Sequence, residues 1–291
     1  MGLRLKFNLM LIAVFLLGLG VSGFISYDLL HKNAREEVLR NAGVMMEAAL
    51  SMRAYTVGQV RPVLPTGDDI FLTQSVPAFA ATEIMNLLRK KYPDYAYKEA
   101  ALNPTNPRNR AVEWETDIIN VFRADTARPE LSGVRETPIG PSLYLARPFQ
   151  IKDTACLACH TSPDASPPAM VKIYGNNSNG YGWKHNEVIG AQLVSVPMTL
   201  PVQNANRAFY TFMGSLTGVF VVLFILLNVM LSTLIVKPIT RMSEAADKIS
   251  KGQTNIPELP DKGSDEVSLL GKAFNRMRRS LEKAIALIED K

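Results

Sequence analysis

Two stretches of this chain contain no charged residue. Residues 7–27 read FNLMLIAVFLLGLGVSGFISY, and residues 208–236 read AFYTFMGSLTGVFVVLFILLNVMLSTLIV. Each is long enough to cross about 30 Å of hydrocarbon as a helix of about 20 residues. The apolar content of 47%, high beside 20% charged residues, is concentrated in these two places. The first stretch lies where a cleaved signal peptide would. Its apolar core exceeds a typical signal, however, and no clear small-x-small site precedes Asp28, so it reads as a retained anchor. Arg4 and Lys6 precede the first span, and Lys237 and Arg241 follow the second. Basic flanks face the cytoplasm. Both termini are therefore expected inside, with residues 28–207 in a periplasm or its equivalent, in an inner membrane. A net charge of only +5 carries no polyanion-binding excess.

The outer segment contains Cys156-Leu157-Ala158-Cys159-His160, around the only two cysteines of the chain. Cys-x-x-Cys-His is the attachment pattern of a c-type heme. Two thiols at this spacing add to the two porphyrin vinyl groups, and the following His lies beneath the iron as an axial ligand. Cys156, Cys159 and His160 are thus the expected cofactor-binding residues, with His160 on the metal. A thioredoxin-like redox pair, a local disulfide or half of a zinc site are the alternatives. No βαβ pattern surrounds the motif, and a zinc site needs about four N or S ligands. Heme c attachment takes place on the periplasmic side, which agrees with the basic flanks.

Residues 28–62 carry Leu29, Leu30, Ala34, Val38, Leu39, Ala42, Met45, Met46, Ala49 and Met52 at helical spacing, and Pro62 and Pro65 end the run. Residues 77–92 predict a second helix with Pro77 at its start. The stretch 103–110 (NPTNPRNR) is turn-rich, and 113–123 reads as a further helix. Short apolar runs follow at 142–148, 170–174 and 188–197, separated by Gly and Pro. Several helices followed by short strands suggest an α+β domain with an antiparallel sheet and the heme loop between strands.

Beyond the second span, Ile239, Met242, Ala246 and Ile249 recur at heptad spacing. After a Gly- and Pro-containing connector and Asp265-Glu266, Val267, Leu270, Phe274, Met277, Leu281, Ala284 and Ile288 do so again. Two short heptad helices cannot bury their seams alone, whereas two copies close a four-helix bundle. A single amphipathic juxtamembrane helix is the plainer alternative. It does not account for the connector.

Lys237-Pro238-Ile239, Ser250-Lys251-Gly252 and Asp265-Glu266 resemble the HAMP domain of bacterial membrane receptors. Ser268 stands where that pattern usually has Gly. Residues 52–62, 106–109, 156–160 and 180–197 are similar to the periplasmic c-type heme sensor family with a PAS-like fold. The resemblance implies residues 1–27 as the cytoplasmic N-terminus and first span, 28–207 as a PAS-like heme-c domain, 208–236 as the second span and 237–291 as HAMP. It implies a homodimer, read either by a separate cytoplasmic protein such as a histidine kinase or chemoreceptor, or forming a minimal or truncated receptor. No kinase, cyclase or methyl-accepting helix follows the HAMP pattern within the 291 residues.

The iron's second axial position is either empty or filled by a protein ligand, and this sets its potential and its access to gases. No third Cys exists. Met46 and Met52 on the long helix and His185 after the heme loop are the candidates, against their readings as core methionines and a solvated turn residue. Met52 and His185 therefore join the expected cofactor site, Met52 as a second metal ligand. Arg53, Arg61 and Arg147 are candidate partners of the heme propionates. His31 lies at the membrane exit. These features favour a sensor of redox state or a small gas. A membrane-anchored electron carrier is the alternative, and a relay bundle argues against it. A small-ligand receptor with a structural heme is a third. No Ser/His/Asp set, phosphate loop or paired carboxylates point to an enzyme.

Overall fold

The structure, a computed structural model, describes residues 2–65, 67, 69–176, 179–253, 256–260 and 263–289, the side chains of 285–289 excepted. Twelve named elements follow in chain order, distributed over two compact units, residues 27–208 and residues 1–26 with 209–291.

Helix α1 (Leu3–Tyr55) runs through the first apolar stretch without a break. It then widens into a π-helical turn, Thr56–Val60, and tightens into a 3₁₀ turn, Arg61–Val63. The cause is local. Pro62 has no N–H to give, and its ring crowds the carbonyl one turn earlier. The Thr56 hydroxyl donates back to the Met52 carbonyl at 2.8 Å, which loosens the same turn. The expected helix over 28–62 is thus present, with an irregular last stretch.

Helix α2 (Pro77–Lys91) begins on Pro77, whose fixed φ suits a first helical position. Strand β1 (Ala96–Ala101), helix α3 (Glu113–Ala124), strands β2 (Leu131–Thr137) and β3 (Gly140–Gln150), helices α4 (Leu157–His160) and α5 (Pro168–Tyr174) and strand β4 (Val188–Pro197) complete this unit. The strands form one antiparallel sheet in the order β1-β4-β3-β2. Its central strand β4 is buried on both faces along almost its whole length, which explains its unbroken apolar run. On one face, Val38, Ala42, Met46 and Ala49 of α1 and Ala81 and Met85 of α2 pack on Tyr97, Leu143, Leu145, Val194 and Val196. On the other, Ile118, Ile119 and Phe122 of α3 pack on Ala100, Ala146, Ala191 and Leu193. The domain is α+β, with helices on both faces of an antiparallel sheet.

The apolar run 170–174, grouped in sequence with the strands, is instead the helix α5. Pro168 starts it, and Gly175 at φ +86° stops it. Strands β1 and β2 were not expected at all.

The second unit pairs α1's first turns with α6 (Thr199–Met230). Phe15 and Phe220 stack at 4.8 Å, and Arg4 donates to the Ser232 hydroxyl at 2.8 Å. After a π-helical turn, Leu231–Val236, come α7 (Lys237–Ser250) and α8 (Glu266–Glu289). Asp265 caps α8 by accepting from Ser268 N at 2.7 Å. Buried Asn275 clamps the connector: it accepts from Leu259 N at 3.1 Å and donates to Leu259 O at 2.9 Å. On α7, Met242 and Ala245 are buried within the single chain, while Ala246 is exposed. Ile288 lies outside the described side chains.

Candidate functional site

The site grows from the break between β3 and β4. Their ladder loses register at Phe149/Gln150, and such irregularities re-aim chains beside sites. The chain leaves the sheet here and returns at Val188. Ile151 N donates to Glu187 O at 2.9 Å, and Asn186 N to Ile151 O at 2.8 Å, which ties the two ends together. Between them, Asp153 accepts from Ala155 N at 2.8 Å and starts a 3₁₀ turn, Thr154–Cys156, that runs into α4. Cys156, Cys159 and His160 therefore share one short helical segment. Ser166 donates to the Cys159 carbonyl at 2.8 Å and holds the segment's far side.

His160 is fixed on three sides. Its Nδ1 lies 2.7 Å from the Gly180 carbonyl oxygen and 3.4 Å from Thr105 Oγ1. Its ring stacks on Trp183 at 3.9 Å and 15°. The backbones are laced as well: Gly182 N donates to Thr161 O and Trp183 N to His160 O. An Nδ1–H donated to a carbonyl fixes the tautomer and leaves Nε2 with a lone pair. Burial holds the imidazole below its usual range, although the Gly180 bond pulls the other way. It is therefore neutral at neutral pH, the form that ligates a metal. Asn103 sets Gly180 in place, accepting from its N–H and donating to Tyr181 O, each at 3.2 Å.

Gly180 is required here. It adopts φ +78°, and a Cβ would lie 2.7 Å from Thr105 Cα and collide with that residue's hydroxyl. Gly180→Ala is expected to cost about 1–3 kcal/mol through backbone strain. It should also move the carbonyl off His160. Urea unfolding checks the first effect and the visible spectrum of the purified protein the second.

His160, Cys156 and Cys159 line one cavity of about 660 Å³, a size typical of cofactor pockets. Arg53, Val57, Gly58 and Arg61 supply its α1 side. Phe149 and Glu99 come from the sheet, and Phe79, Arg108, Met170 and Tyr174 complete the wall. Burial pushes the Cys156 and Cys159 thiols up, Asp153 adding to the effect on Cys156, while nearby arginines oppose it. Protonated thiols do not suit a reactive redox pair. No cluster of three or more His, Cys, Asp or Glu residues able to hold a metal occurs among the described residues.

The structure brings four of the six expected site residues together: Cys156, Cys159, His160 and Arg53. Met52 is one helical position from Arg53 and points into the core with Met46, away from the cavity. His185 is exposed in the turn before β4, its Nε2 at 3.2 Å from Lys152 O. Arg147 pairs with Glu47 at 2.6 Å and Glu130 at 3.4 Å, outside the cavity. Arg61 does line it. Sequence reading missed Asn103, Gly180 and Trp183. Only the spacing of Gly180 and Gly182 in a turn-rich stretch hinted at a positive-φ loop.

The model of the Tll0287-like family matches residues 31–197, which hold the whole cavity and the sheet. The chain belongs to the Tll0287-like family. A HAMP domain model matches residues 230–283, covering α7, the connector and most of α8. The sensor histidine kinase WalK of Bacillus subtilis (strain 168) is 33% identical over 106 residues, 36% of this chain and 17% of that protein. The chain thus spans under a fifth of that relative's length. The crystal structure of the cyanobacterial heme-protein Tll0287 superposes with a TM-score of 0.44 at 16% identity, over 55% of this chain and 95% of the other. With two helices long and apolar enough to cross a membrane, a Tll0287-like domain joined to HAMP has the architecture of a membrane signalling sensor.

Proposed function

We propose that this Tll0287-like protein is a periplasm-facing heme-c sensor that reports redox state or a small gas through its second span to a cytoplasmic HAMP dimer. The observation that carries the reading is the setting of His160, whose Nδ1 lies against the Gly180 carbonyl and which shares one cavity with both thiols. Cys156 and Cys159 are assigned to the thioethers and His160 to the iron. When bound, the heme supplies an iron that changes oxidation state and accepts a small ligand. The chain's part is to orient His160, exclude water with Phe79, Phe149 and Met170, and couple the cavity to α1.

Residues 28–207 are assigned to the periplasm and both tails to the cytoplasm. The helices α7 and α8 are what separate this reading from an electron carrier, which needs no relay. Output is assigned to a separate histidine kinase or chemoreceptor. No enzymatic role is proposed.

The test is covalency. Produced in cells with a cytochrome c maturation system, the full chain should keep its heme through a denaturing gel and acid-acetone extraction. The Cys156→Ala, Cys159→Ala double variant should lose it. Heme that extracts freely from the unaltered protein would refute c-type attachment.

A further inference from the structure

One wall of the cavity holds a charged pair that heme attachment does not use. The Glu99 side chain, on β1, is 1% exposed. It accepts from Arg53 Nη1 at 2.5 Å and from the Tyr97 hydroxyl at 2.8 Å. Burial and the Glu99 charge hold the Tyr97 phenol far above its usual range, so it stays a donor. Arg53, from the last turn of α1, also lies over the Phe149 ring, 4.8 Å from its centroid. Both Arg53 and Glu99 line the cavity. A buried carboxylate is tolerated when it is paired and hydrogen-bonded. The guanidinium carries several N–H donors in a rigid fork, and Glu99 engages only one end of it. A fixed cation with spare donors, facing a cavity and set against an aromatic ring, is an anion-recognition device.

Two carboxylate-like or anionic occupants suit it: a heme propionate or a free small anion. The chemistry of attachment separates them. Vinyl groups and propionates occupy opposite edges of the porphyrin, so the vinyl edge lies at Cys156 and Cys159. The Arg53–Glu99 pair is buried, its side chains 19% and 1% exposed, whereas the charged propionates, opposite the thioethers, favour a place near water. Arg108 stands in a more open place, its side chain and that of Glu83 being 34% and 44% exposed. It pairs with Glu83 at 2.5 Å, lies over Phe79 at 5.1 Å and acts on Tyr174. Asn106 and Asn109 flank it on the same wall. Arg108 is therefore the better partner for the propionates.

We propose that Arg53 is the specificity-determining residue for a small anion that enters this cavity as a ligand of the heme iron. The anion competes with Glu99 for the guanidinium and so loosens α1 from β1. This rests on the heme reading above. It adds the class of ligand and the first contact to change. α1 is the helix that contains the first span, so loosening its last turn acts on the element that leads to the membrane.

The experiment uses the full chain with covalent heme in detergent. Azide is titrated into the ferric protein and, separately, carbon monoxide into the dithionite-reduced protein while the Soret band is followed. The Arg53→Gln, Glu99→Gln double variant replaces the ion pair by two amides and removes both charges together. It should bind azide about ten- to a hundredfold more weakly, the worth of one charge-assisted hydrogen bond, and carbon monoxide as the unaltered protein does. Arg53→Lys keeps the charge, loses the fork and should show the same split in smaller measure. Glu99→Gln alone should bind azide more tightly, because the guanidinium is released. Equal azide affinity in the double and Lys variants would overturn the proposal. So would a parallel loss for azide and carbon monoxide, or no azide binding by the unaltered holoprotein. A chain that carries no covalent heme brings down the heme reading and this proposal with it. A holoprotein indifferent to Arg53 brings down this proposal alone.

Discussion

His160→Ala is expected to leave heme on both thioethers while abolishing the spectrum of an imidazole-ligated iron. Attachment and ligation use different atoms, so the two effects separate. The thiols of Cys156 and Cys159 stand on the same short helix whether or not residue 160 carries a ring. The ring, however, is the one imidazole in the cavity, since His185 is exposed beside Lys152. Truncation also removes the stacking surface of Trp183 and the acceptor role of the Gly180 carbonyl. A hole the size of an imidazole remains under the iron. Free imidazole added to the variant should therefore fill it and restore the Soret position, while a change that merely disturbed the fold would not be rescued. A variant spectrum identical to that of the unaltered protein would remove His160 from the iron. Gly180→Ala should give a weaker form of the same defect, because it disturbs the acceptor and not the ligand.

The parts of this molecule legible in sequence are those written in local chemistry. Uncharged stretches gave the spans, heptad spacing gave α7 and α8, and a five-residue motif gave the thiols and the imidazole. What stayed hidden depends on partners far away in the chain. β1 reads AYKEAA, a helix-like composition. It is a strand because β4 offers it a continuous ladder, and because Glu99 finds Arg53 from α1. Without Arg53, a carboxylate at that depth would argue against a strand. The setting of His160 is another case. Its orientation depends on Gly180, which depends on Asn103, and neither spacing has a recognisable signature. Met52 and Arg53 show the limit of periodicity. The helical stripe placed Met52 near the site, yet one residue is about 100° of rotation. That turn sends Met52 into the core and Arg53 into the cavity.

Cysteine at Leu270 should cross-link two copies of the chain in membranes under mild oxidation, with a yield that changes with the heme's oxidation state or ligand. The reason is the apolar surface that one copy leaves uncovered. Along α7 and α8, Ile239, Leu270, Met277 and Leu281 are exposed, Leu270 by 53%. They keep heptad spacing, and each contributes roughly 1.5–3 kcal/mol when fully buried. Met242 is already buried within one copy, and Asn275 and Arg278 hold the connector against α8. The single chain thus has a formed helix pair whose seam faces outward. A second copy supplies the same seam in register, which is how a parallel four-helix bundle closes. Leu270→Asp should therefore reduce the dimer strongly, since it sets two carboxylates in a seam designed for leucine. Arg276→Cys, on the exposed side of α8, serves as the comparison and should cross-link poorly. Equal yields at 270 and 276 would mean random collision. Efficient cross-linking at 270 with no response to oxidation or ligand would leave a dimer that does not carry the signal, and the relay would have to run elsewhere.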